Sequence, residues 1–247
     1  MSPAPEVLVE ESATALADRT ADRTAATLGA ALDERGEAHL VVTGGGILEK
    51  VLAALAARRP IDWSQVHVWW GDERYVPADS ADRNDRPALS VLFDQVAVDP
   101  AKLHRMPASD AGFGDDAEAA AASYAAELAE AAPEGADVPS FDVVLLGVGP
   151  DGHCASLFPG HPALQETQAS VIAVHDSPKP PPTRLSLTFP ALDAANEIWF
   201  VASGGGKAEA VGRALGGADF TDVPSARPRG RRHTLWLVDR DAAARLP

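Results

Sequence analysis

The stretch FDVVLLGVGPDGHCASLFPG, residues 141–160, runs from a continuous apolar segment into a loop that contains three glycines. An uninterrupted apolar run is typical of a strand that is covered on both faces of a parallel sheet. In open sheets of parallel strands, ligands bind beyond the carboxyl ends of the strands. The stretch therefore predicts a buried strand that carries a candidate site at its end.

Similar apolar runs alternate with Ala-rich amphipathic stretches along the chain, a pattern typical of α/β proteins. It predicts an open, mostly parallel, Rossmann-like sheet with helices on both faces. The proline-dense segment SPKPPPT, residues 177–183, lies between two predicted strands and reads as an ordered loop rather than a linker, so residues 1–247 are predicted to form a single domain. The predicted strands are 38–43, 66–70, 141–146, 171–175, 184–188, 197–202 and 234–238, and the predicted helices are 11–34, 48–58, 115–131 and 207–215.

The composition narrows the classes of function. The 247 residues are 46% hydrophobic, no apolar run approaches the roughly 20 residues that span a bilayer, and no secretory signal is recognised. Cys154 is the only cysteine, which excludes an internal disulfide and fits a reducing compartment. The net charge of −15 argues against nucleic acid, whose phosphates need Lys and Arg. We expect a cytoplasmic protein that binds neither membranes nor nucleic acid.

Four predicted strands are followed by loops with glycine or charge, at 43–46, 71–77, 147–153 and 203–206. The carboxyl ends of parallel strands meet at one edge of the sheet, so these loops are expected to converge. Glycine turns that open a helix present N–H groups to anions, and both 43–46 and 203–206 fit that description. Lys207 follows the second turn and could add a positive charge for a phosphate.

Two nucleotide-binding patterns fail on inspection. Residues 147–152 satisfy G-x-G-x-x-G, but Pro159 and Pro162 interrupt the helix that a dinucleotide site requires after the third glycine. The segment 203–208 is not a Walker A loop, because Val201 replaces its first glycine and Ala208 replaces its Ser or Thr.

The motifs of other enzyme classes are missing from the sequence, which leaves acid–base catalysis as the predicted chemistry. The chain contains no G-x-S-x-G and no H-E-x-x-H, and one cysteine cannot build a thiolate metal site. His153 lies on a glycine loop at a strand end, and Asp151 is near enough in sequence to orient it. Asp72, Glu73 and Arg74 form either an ion-pair cluster or a carboxylate and a guanidinium for the site.

The motifs FDVVLLGVGPDGHCASLFPGHPAL (141–164), VHVWWGDERYVP (66–77), LHRMP (103–107), SPKPPPTRLSLT (177–188) and GGGKAEA (204–210) closely resemble those of the 6-phosphogluconolactonase family, in its order and over roughly residues 7–246. The resemblance implies hydrolysis of 6-phospho-D-glucono-1,5-lactone to 6-phosphogluconate, the second step of the oxidative pentose phosphate pathway. It implies no metal and no organic cofactor. The implied fold is an open α/β sheet shared with glucosamine-6-phosphate and ribose-5-phosphate isomerases.

Residue by residue, the resemblance places His153 at the catalytic histidine and Asp151 at its neighbouring acid. His153 would take a proton from water and return it to the leaving oxygen, while Asp151 fixes its tautomer. The other matched or expected positions are Asp72 and Arg74 in the charged motif, and Thr43, Gly44, Gly45, Gly46, Asn84, Arg184 and Lys207 at the substrate and its phosphate.

The chain departs from the family pattern at three places. Thr43-Gly44-Gly45-Gly46-Ile47-Leu48 replaces the common Ser-Gly-Gly-Ser-Thr-Pro, which removes hydroxyl groups from the phosphate loop. Cys154 stands where threonine is usual and puts a thiol beside the histidine. Arg83-Asn84 replaces Ser-Asn, so Asn84 is the match there.

Two alternatives remain on the same fold. A glucosamine-6-phosphate isomerase or deaminase resembles the chain, but that family continues D-G-H into Phe-Asn-Glu-Pro, whereas this chain reads SLFPG. A non-catalytic sugar-phosphate sensor would usually carry a DNA-binding helix-turn-helix, which the acidic total disfavours. We expect a monomer that binds a small sugar-phosphate lactone.

Overall fold

The computed structural model describes residues 4–58 and 61–247. The strands are β1 (Glu6–Glu10), β2 (Ala38–Val42), β3 (Val66–Trp70), β4 (Asp72–Arg74), β5 (Leu103–His104), β6 (Val143–Gly147), β7 (Val171–Val174), β8 (Arg184–Leu187), β9 (Glu197–Ala202) and β10 (His233–Asp239). The α-helices are α1 (Ala13–Arg35), α2 (Gly46–Ala56), α3 (Asp85–Ala88), α4 (Ala117–Glu130), α5 (Phe189–Asp193) and α6 (Ala208–Leu215).

Seven strands form one sheet in the order β1-β10-β9-β6-β2-β3-β5, and every neighbouring pair is parallel. This confirms the predicted α/β class with a mostly parallel sheet. The chain runs outward from β2 through β3 to β5 on one side, and from β6 through β9 and β10 on the other. The strand order therefore reverses between β2 and β6, and such a reversal leaves a crevice beyond the carboxyl ends of the two strands.

Helices cover both faces of this sheet. Successive side chains of a strand point to opposite faces. Trp69 of β3 packs edge-on against Tyr124 of α4, while Trp70 packs against Phe93, in the helical turn Leu89–Phe93 that contacts α2. Both indoles are buried, so the core continues through the sheet. No helix in the described part of the chain is long and apolar enough to cross a membrane.

Two predicted strands lie outside the parallel sheet. β7 and β8 pair antiparallel with each other, and β8 pairs antiparallel with β4, so that Asp72–Arg74 form a short strand instead of the expected loop. The connection at 175–183 is too short for the crossover of a dozen or more residues that parallel neighbours need. The small sheet places Arg184 opposite Arg74.

The predicted helices 11–34, 48–58, 115–131 and 207–215 correspond to α1, α2, α4 and α6. Ser12 caps α1 by accepting a hydrogen bond from the N–H of Ala15, and Gly36 ends it at φ 78°. The prediction missed β1, β5, α3 and α5. β1 is a partly exposed edge strand and the other three are at most five residues long, so their hydrophobic patterns are weak.

Candidate active site

A cavity of about 540 Å³ opens at the carboxyl ends of β2, β3, β6 and β9, at the reversal of strand order. The four loops expected to converge do meet there. Asp151 lies behind the lining and contacts His153, which lines the cavity. The other predicted site residues all line the cavity, namely Thr43, Gly44, Gly45, Gly46, Asp72, Arg74, Asn84, His153, Arg184 and Lys207.

The loop after β6 holds a histidine and a carboxylate in contact. His153 Nδ1 lies 2.5 Å from Asp151 Oδ1, and the N–H of Gly149 donates to the His153 carbonyl at 2.9 Å, which closes the loop. An ionised carboxylate only accepts hydrogen bonds, so Nδ1 carries the proton and Nε2 is left with a lone pair. The ring also packs against Phe158, with centroids 4.7 Å apart. The arrangement prepares Nε2 to take up a proton.

Asp151 is ionised in this pair. Burial alone raises the pKa of its carboxyl, but the hydrogen bond from His153 and the positive charge of Lys179 outweigh burial and bring the pKa below its usual range. Asp151 therefore remains a carboxylate at neutral pH and can hold the tautomer of His153 fixed.

Gly149 is required by the His153–Asp151 pair itself. A Cβ on Gly149 would lie 1.9 Å from His153 Nδ1 and 2.3 Å from Asp151 Oδ1, so no other residue fits while the pair is formed. Gly152 has φ +87°, in the left-handed region that favours glycine, and a Cβ there would lie 2.7 Å from Val223 Cγ1. These glycines serve the geometry of the histidine loop, which explains a pattern that superficially resembles a nucleotide motif.

The lining of the cavity is also suited to an anion. α2 begins at Gly46, and its N-cap Gly45 makes no side-chain capping bond, so the N–H groups of the first turn are available where this loop lines the cavity. Burial and the nearby charge of Lys179 lower the pKa of Lys207 on the neighbouring loop. The cationic residues lining the cavity are Lys50, Arg74, Lys179, Arg184 and Lys207, against one carboxylate, Asp72. In a chain of net charge −15, this is a local concentration of positive charge.

Asp72 connects the small sheet to the histidine loop. Its buried Oδ2 accepts a hydrogen bond from Ser156 Oγ at 2.7 Å, and its carbonyl accepts one from Asn84 Nδ2 at 3.1 Å. Asn84 in turn packs against Gly44, where a Cβ would lie 2.0 Å from Asn84 Oδ1. Asp72 and Asn84 thus line the cavity and also fix the relative positions of its loops.

Glu73, which the sequence analysis grouped with Asp72 and Arg74 without a role of its own, supports the backbone beside the cavity. Its buried carboxyl accepts hydrogen bonds from the N–H groups of Arg74 (2.7 Å), Asn84 (2.6 Å) and Asp85 (2.9 Å). Burial raises the pKa of Glu73 to about 7, and the charge of Arg83 opposes this shift. Glu73 holds in place the backbone from which Arg74 and Asn84 reach the cavity.

Arg83, one of the departures from the family pattern, belongs to this buried network rather than to the main cavity. Its guanidinium donates to Asp85 Oδ2 at 2.8 Å and to the Met106 carbonyl at 2.7 Å, and lies 3.6 Å from Glu73. Arg74 uses one guanidinium N–H on the Asp82 carbonyl at 2.7 Å.

The hydroxyl of Thr43 is engaged by the protein. It donates to the Leu145 carbonyl at 3.1 Å and accepts from the N–H of Gly147 at 3.3 Å, joining the ends of β2 and β6 where the strand order reverses. Thr43 lines the cavity, but these two hydrogen bonds leave only part of the hydrogen-bonding capacity of its hydroxyl for a ligand.

The proline-dense loop brings in a residue that the sequence reasoning missed. Lys179 Nζ lies 3.1 Å from His153 Nδ1 and 3.5 Å from Asp151 Oδ1. Buried Arg184 donates to the carbonyls of Lys179 (3.1 Å) and Pro181 (3.2 Å), so it also anchors this loop. The available signal was a lysine in an ordered loop between two strands.

The thiol of Cys154 is fully buried, and burial raises its pKa, with the nearby carboxylates Asp72 and Asp193 adding to the shift. The thiol therefore stays protonated and is a poor nucleophile. It packs as a small apolar group behind the histidine loop.

In residues 4–58 and 61–247, the group with ligand atoms close enough for a metal ion is Glu37, His39 and His67, within 4.8 Å of one another. The indole N–H of Trp69 donates to His39 Nδ1 at 3.2 Å. Burial and the neighbouring imidazoles lower the pKa of His39 to about 3, so the ring is neutral and its proton lies on Nε2. In that tautomer Nε2, the nitrogen beside Glu37, has no lone pair for a metal ion. We therefore interpret His39 and His67 as part of a structural stack of aromatic rings rather than as metal ligands.

The chain is similar to known proteins both in sequence and in structure. Residues 11–236 match the model of a family described as glucosamine-6-phosphate isomerases/6-phosphogluconolactonase. The chain is 51% identical over 252 residues to a 6-phosphogluconolactonase of Streptomyces coelicolor, covering 100% of this chain and 97% of that protein. It is 50% identical over 226 residues to one of Mycobacterium tuberculosis, covering 91% and 92%. The crystal structure of a 6-phosphogluconolactonase from Thermotoga maritima superposes with a TM-score of 0.81 at 27% identity, covering 96% of this chain and 99% of that one.

Proposed function

Because this chain belongs to the glucosamine-6-phosphate isomerase/6-phosphogluconolactonase family, we propose that it hydrolyses 6-phospho-D-glucono-1,5-lactone to 6-phospho-D-gluconate with His153 as the base. The observation that carries this proposal is the His153–Asp151 pair, with Nδ1 and Oδ1 2.5 Å apart, in a cavity lined by cationic side chains. One part of the cavity suits proton transfer and another suits a phosphate.

The reaction needs little beyond an oriented water, a base and a place for the substrate. A lactone carbonyl is already electrophilic, so attack by water is limited by removal of its proton and by the negative charge that develops on oxygen. His153 Nε2 accepts the proton from water, and the resulting imidazolium is stabilised by Asp151. As this proton leaves, the oxygen of water bonds to C1 of the lactone. The proton then passes from His153 to the ring oxygen as the bond between C1 and the ring oxygen breaks, which restores the neutral imidazole and gives the carboxylic acid.

In this proposal the phosphate of the substrate binds at the start of α2, with Lys207 from the loop after β9 as a second ligand in the same cavity. The free N–H groups of a helix N-terminus and a lysine charge are a common phosphate-binding combination. Arg74 and Arg184 add positive charge to the same cavity. Binding energy from the phosphate holds C1 of the lactone in position beside His153.

The direct test is a hydrolysis assay on freshly generated 6-phosphogluconolactone, corrected for spontaneous opening of the ring. We expect multiple turnovers without added metal or cofactor. Release of ammonia from glucosamine 6-phosphate without lactone hydrolysis would identify the deaminase alternative. Sugar-phosphate binding without turnover of either compound would identify a sensor.

Replacing Lys207 with methionine is expected to raise KM for the phosphorylated lactone about tenfold or more, since hydrogen bonds to charged groups contribute about 1.5 to 3 kcal/mol. KM for unphosphorylated glucono-1,5-lactone should change by less than about twofold, because that substrate has no charge for Lys207 to bind. Lys102→Met is the control for loss of one positive charge, because Lys102 is partly buried outside the cavity, where it bonds to Gln65. Equal effects on the two substrates would remove Lys207 from the phosphate site.

We further propose that the enzyme is cytoplasmic, because its single cysteine fits a reducing compartment. We also propose that it acts as a monomer, because the base and the cationic groups assigned to the site come from one chain. Sedimentation analysis at assay concentration tests the oligomeric state.

A further inference from the structure

We propose that Lys179 is a positioning residue for the catalytic base, holding His153 neutral and Asp151 ionised in the resting enzyme. The inference rests on the proposed role of His153 as base and extends it to a residue on a different element. The Lys179 ammonium lies beside both members of the pair, 3.1 Å from His153 Nδ1 and 3.5 Å from Asp151 Oδ1.

This contact favours a neutral His153 beside an ionised Asp151. Asp151 Oδ1 accepts from His153 Nδ1 and from Lys179, so one carboxylate oxygen serves both donors. A proton added to His153 would create a second cation 3.1 Å from the ammonium, and like charges so close disfavour each other. Asp151 attracts that proton, whereas Lys179 repels it. The two effects oppose each other, and the Lys179 contact favours the neutral imidazole, the form that can accept a proton.

The backbone that carries Lys179 is held firmly in place. Ser177 Oγ donates to the Lys179 carbonyl at 3.0 Å, and the N–H of Ser177 donates to the Pro182 carbonyl at 3.0 Å. The Arg184 guanidinium donates to the carbonyls of Lys179 and Pro181. Arg184 is itself buried above the ring of Phe158, which packs against His153. The backbone is therefore fixed at the point from which the partly exposed Lys179 side chain reaches the pair.

The other groups near His153 do not replace Lys179 in this role. On its own loop the charged neighbour is Asp151, and Phe158 presents an uncharged ring. From the loop after β9, Lys207 acts on Asp151 at longer range, and Asp72 of β4 is bonded to Ser156. Among the residues that the structure describes, Lys179 is the cation in direct contact with the pair.

The test is the pH dependence of kcat/KM between pH 5.5 and 7.5 for the wild type, Lys179→Met, Lys179→Arg and the control Lys102→Met. In Lys179→Met the charge that disfavours the imidazolium is gone. The variant should therefore lose about three- to tenfold more activity at pH 6 than at pH 7.5, relative to wild type. This is the size expected for one charge at contact distance after allowing for solvent screening of a side chain that is 38% exposed.

Lys179→Arg should restore most of the wild-type profile, because it returns the charge, and Lys102→Met should leave the profile unchanged. A loss by the same factor at every pH, or no change at all, would overturn the inference. The first result would instead make Lys179 a substrate ligand or a structural residue.

A second measurement does not depend on turnover. ¹⁵N spectra of the substrate-free protein report the imidazolium fraction of His153 at pH 6, which should be larger in Lys179→Met than in wild type. An unchanged fraction would overturn the inference even if His153 is the base. A larger fraction in a protein without lactonase activity would leave the Lys179 contact intact while the proposed function fails.

Discussion

Replacing His153 with alanine is expected to lower kcat/KM for 6-phosphogluconolactone by about 10²- to 10⁴-fold, the usual contribution of a general base. The substitution removes Nε2, the nitrogen left with a lone pair by the contact between Nδ1 and Asp151. The phosphate-binding part of the cavity is untouched, so KM should change much less than kcat. Steady-state kinetics with background correction measure both constants.

The matched control is His175→Ala, which removes an exposed histidine that pairs with Glu118 away from the cavity. It should retain wild-type kinetics. Full activity in His153→Ala would refute the assignment of the base, provided that the lactone is shown to be hydrolysed by the wild type.

Replacing Gly149 with alanine is expected to lower kcat about 10²-fold or more, although residue 149 contributes no side chain to the chemistry. The new Cβ would occupy the space of His153 Nδ1 and Asp151 Oδ1, at 1.9 Å and 2.3 Å. Because backbone and side chain cannot overlap at these distances, the imidazole and the carboxylate must separate and the base loses its orientation.

The control for an added methyl group is Gly29→Ala, in α1 away from the cavity, where a Cβ meets no atom within 4 Å and φ lies outside the left-handed region. This variant should keep its activity within about twofold. Thermal unfolding of both variants separates a displaced pair from a misfolded chain: Gly149→Ala should unfold cooperatively near the wild-type Tm. A Gly149→Ala variant with wild-type kcat would mean that the His153–Asp151 contact is not needed for catalysis.

Local patterns were sufficient for the class of fold. Continuous apolar runs such as 141–146 indicate strands buried on both faces, and Ala-rich stretches such as 115–131 indicate helices. Both patterns can be recognised because they depend only on residues that are neighbours in the sequence. The family predicted from the sequence motifs is confirmed by the comparisons. The strand-end loops also indicated part of the candidate site, since parallel strands bring their carboxyl ends to one edge, whereas Asn84 and Arg184 were assigned from the family resemblance.

What the sequence could not supply was the pairing of distant segments. Strands β7 and β8 form a separate antiparallel sheet with β4. The short connection between β7 and β8 makes them antiparallel, and the rest of the fold places β4 beside β8. Lys179 meets His153 across 26 positions of the chain, and Asp72 meets Ser156 across 84. No local pattern records such contacts.

The sequence by itself determined the buried strands, the glycine loops at their ends, the family, and the histidine and acid that mark the candidate site. Only the tertiary structure decided why Gly149 must be glycine, which groups hold Arg74 and Asn84, and which cation lies against the His153–Asp151 pair. The physical reason is range: burial and periodicity are properties of consecutive residues, whereas steric exclusion and electrostatic contact depend on distances that arise only when the chain has folded.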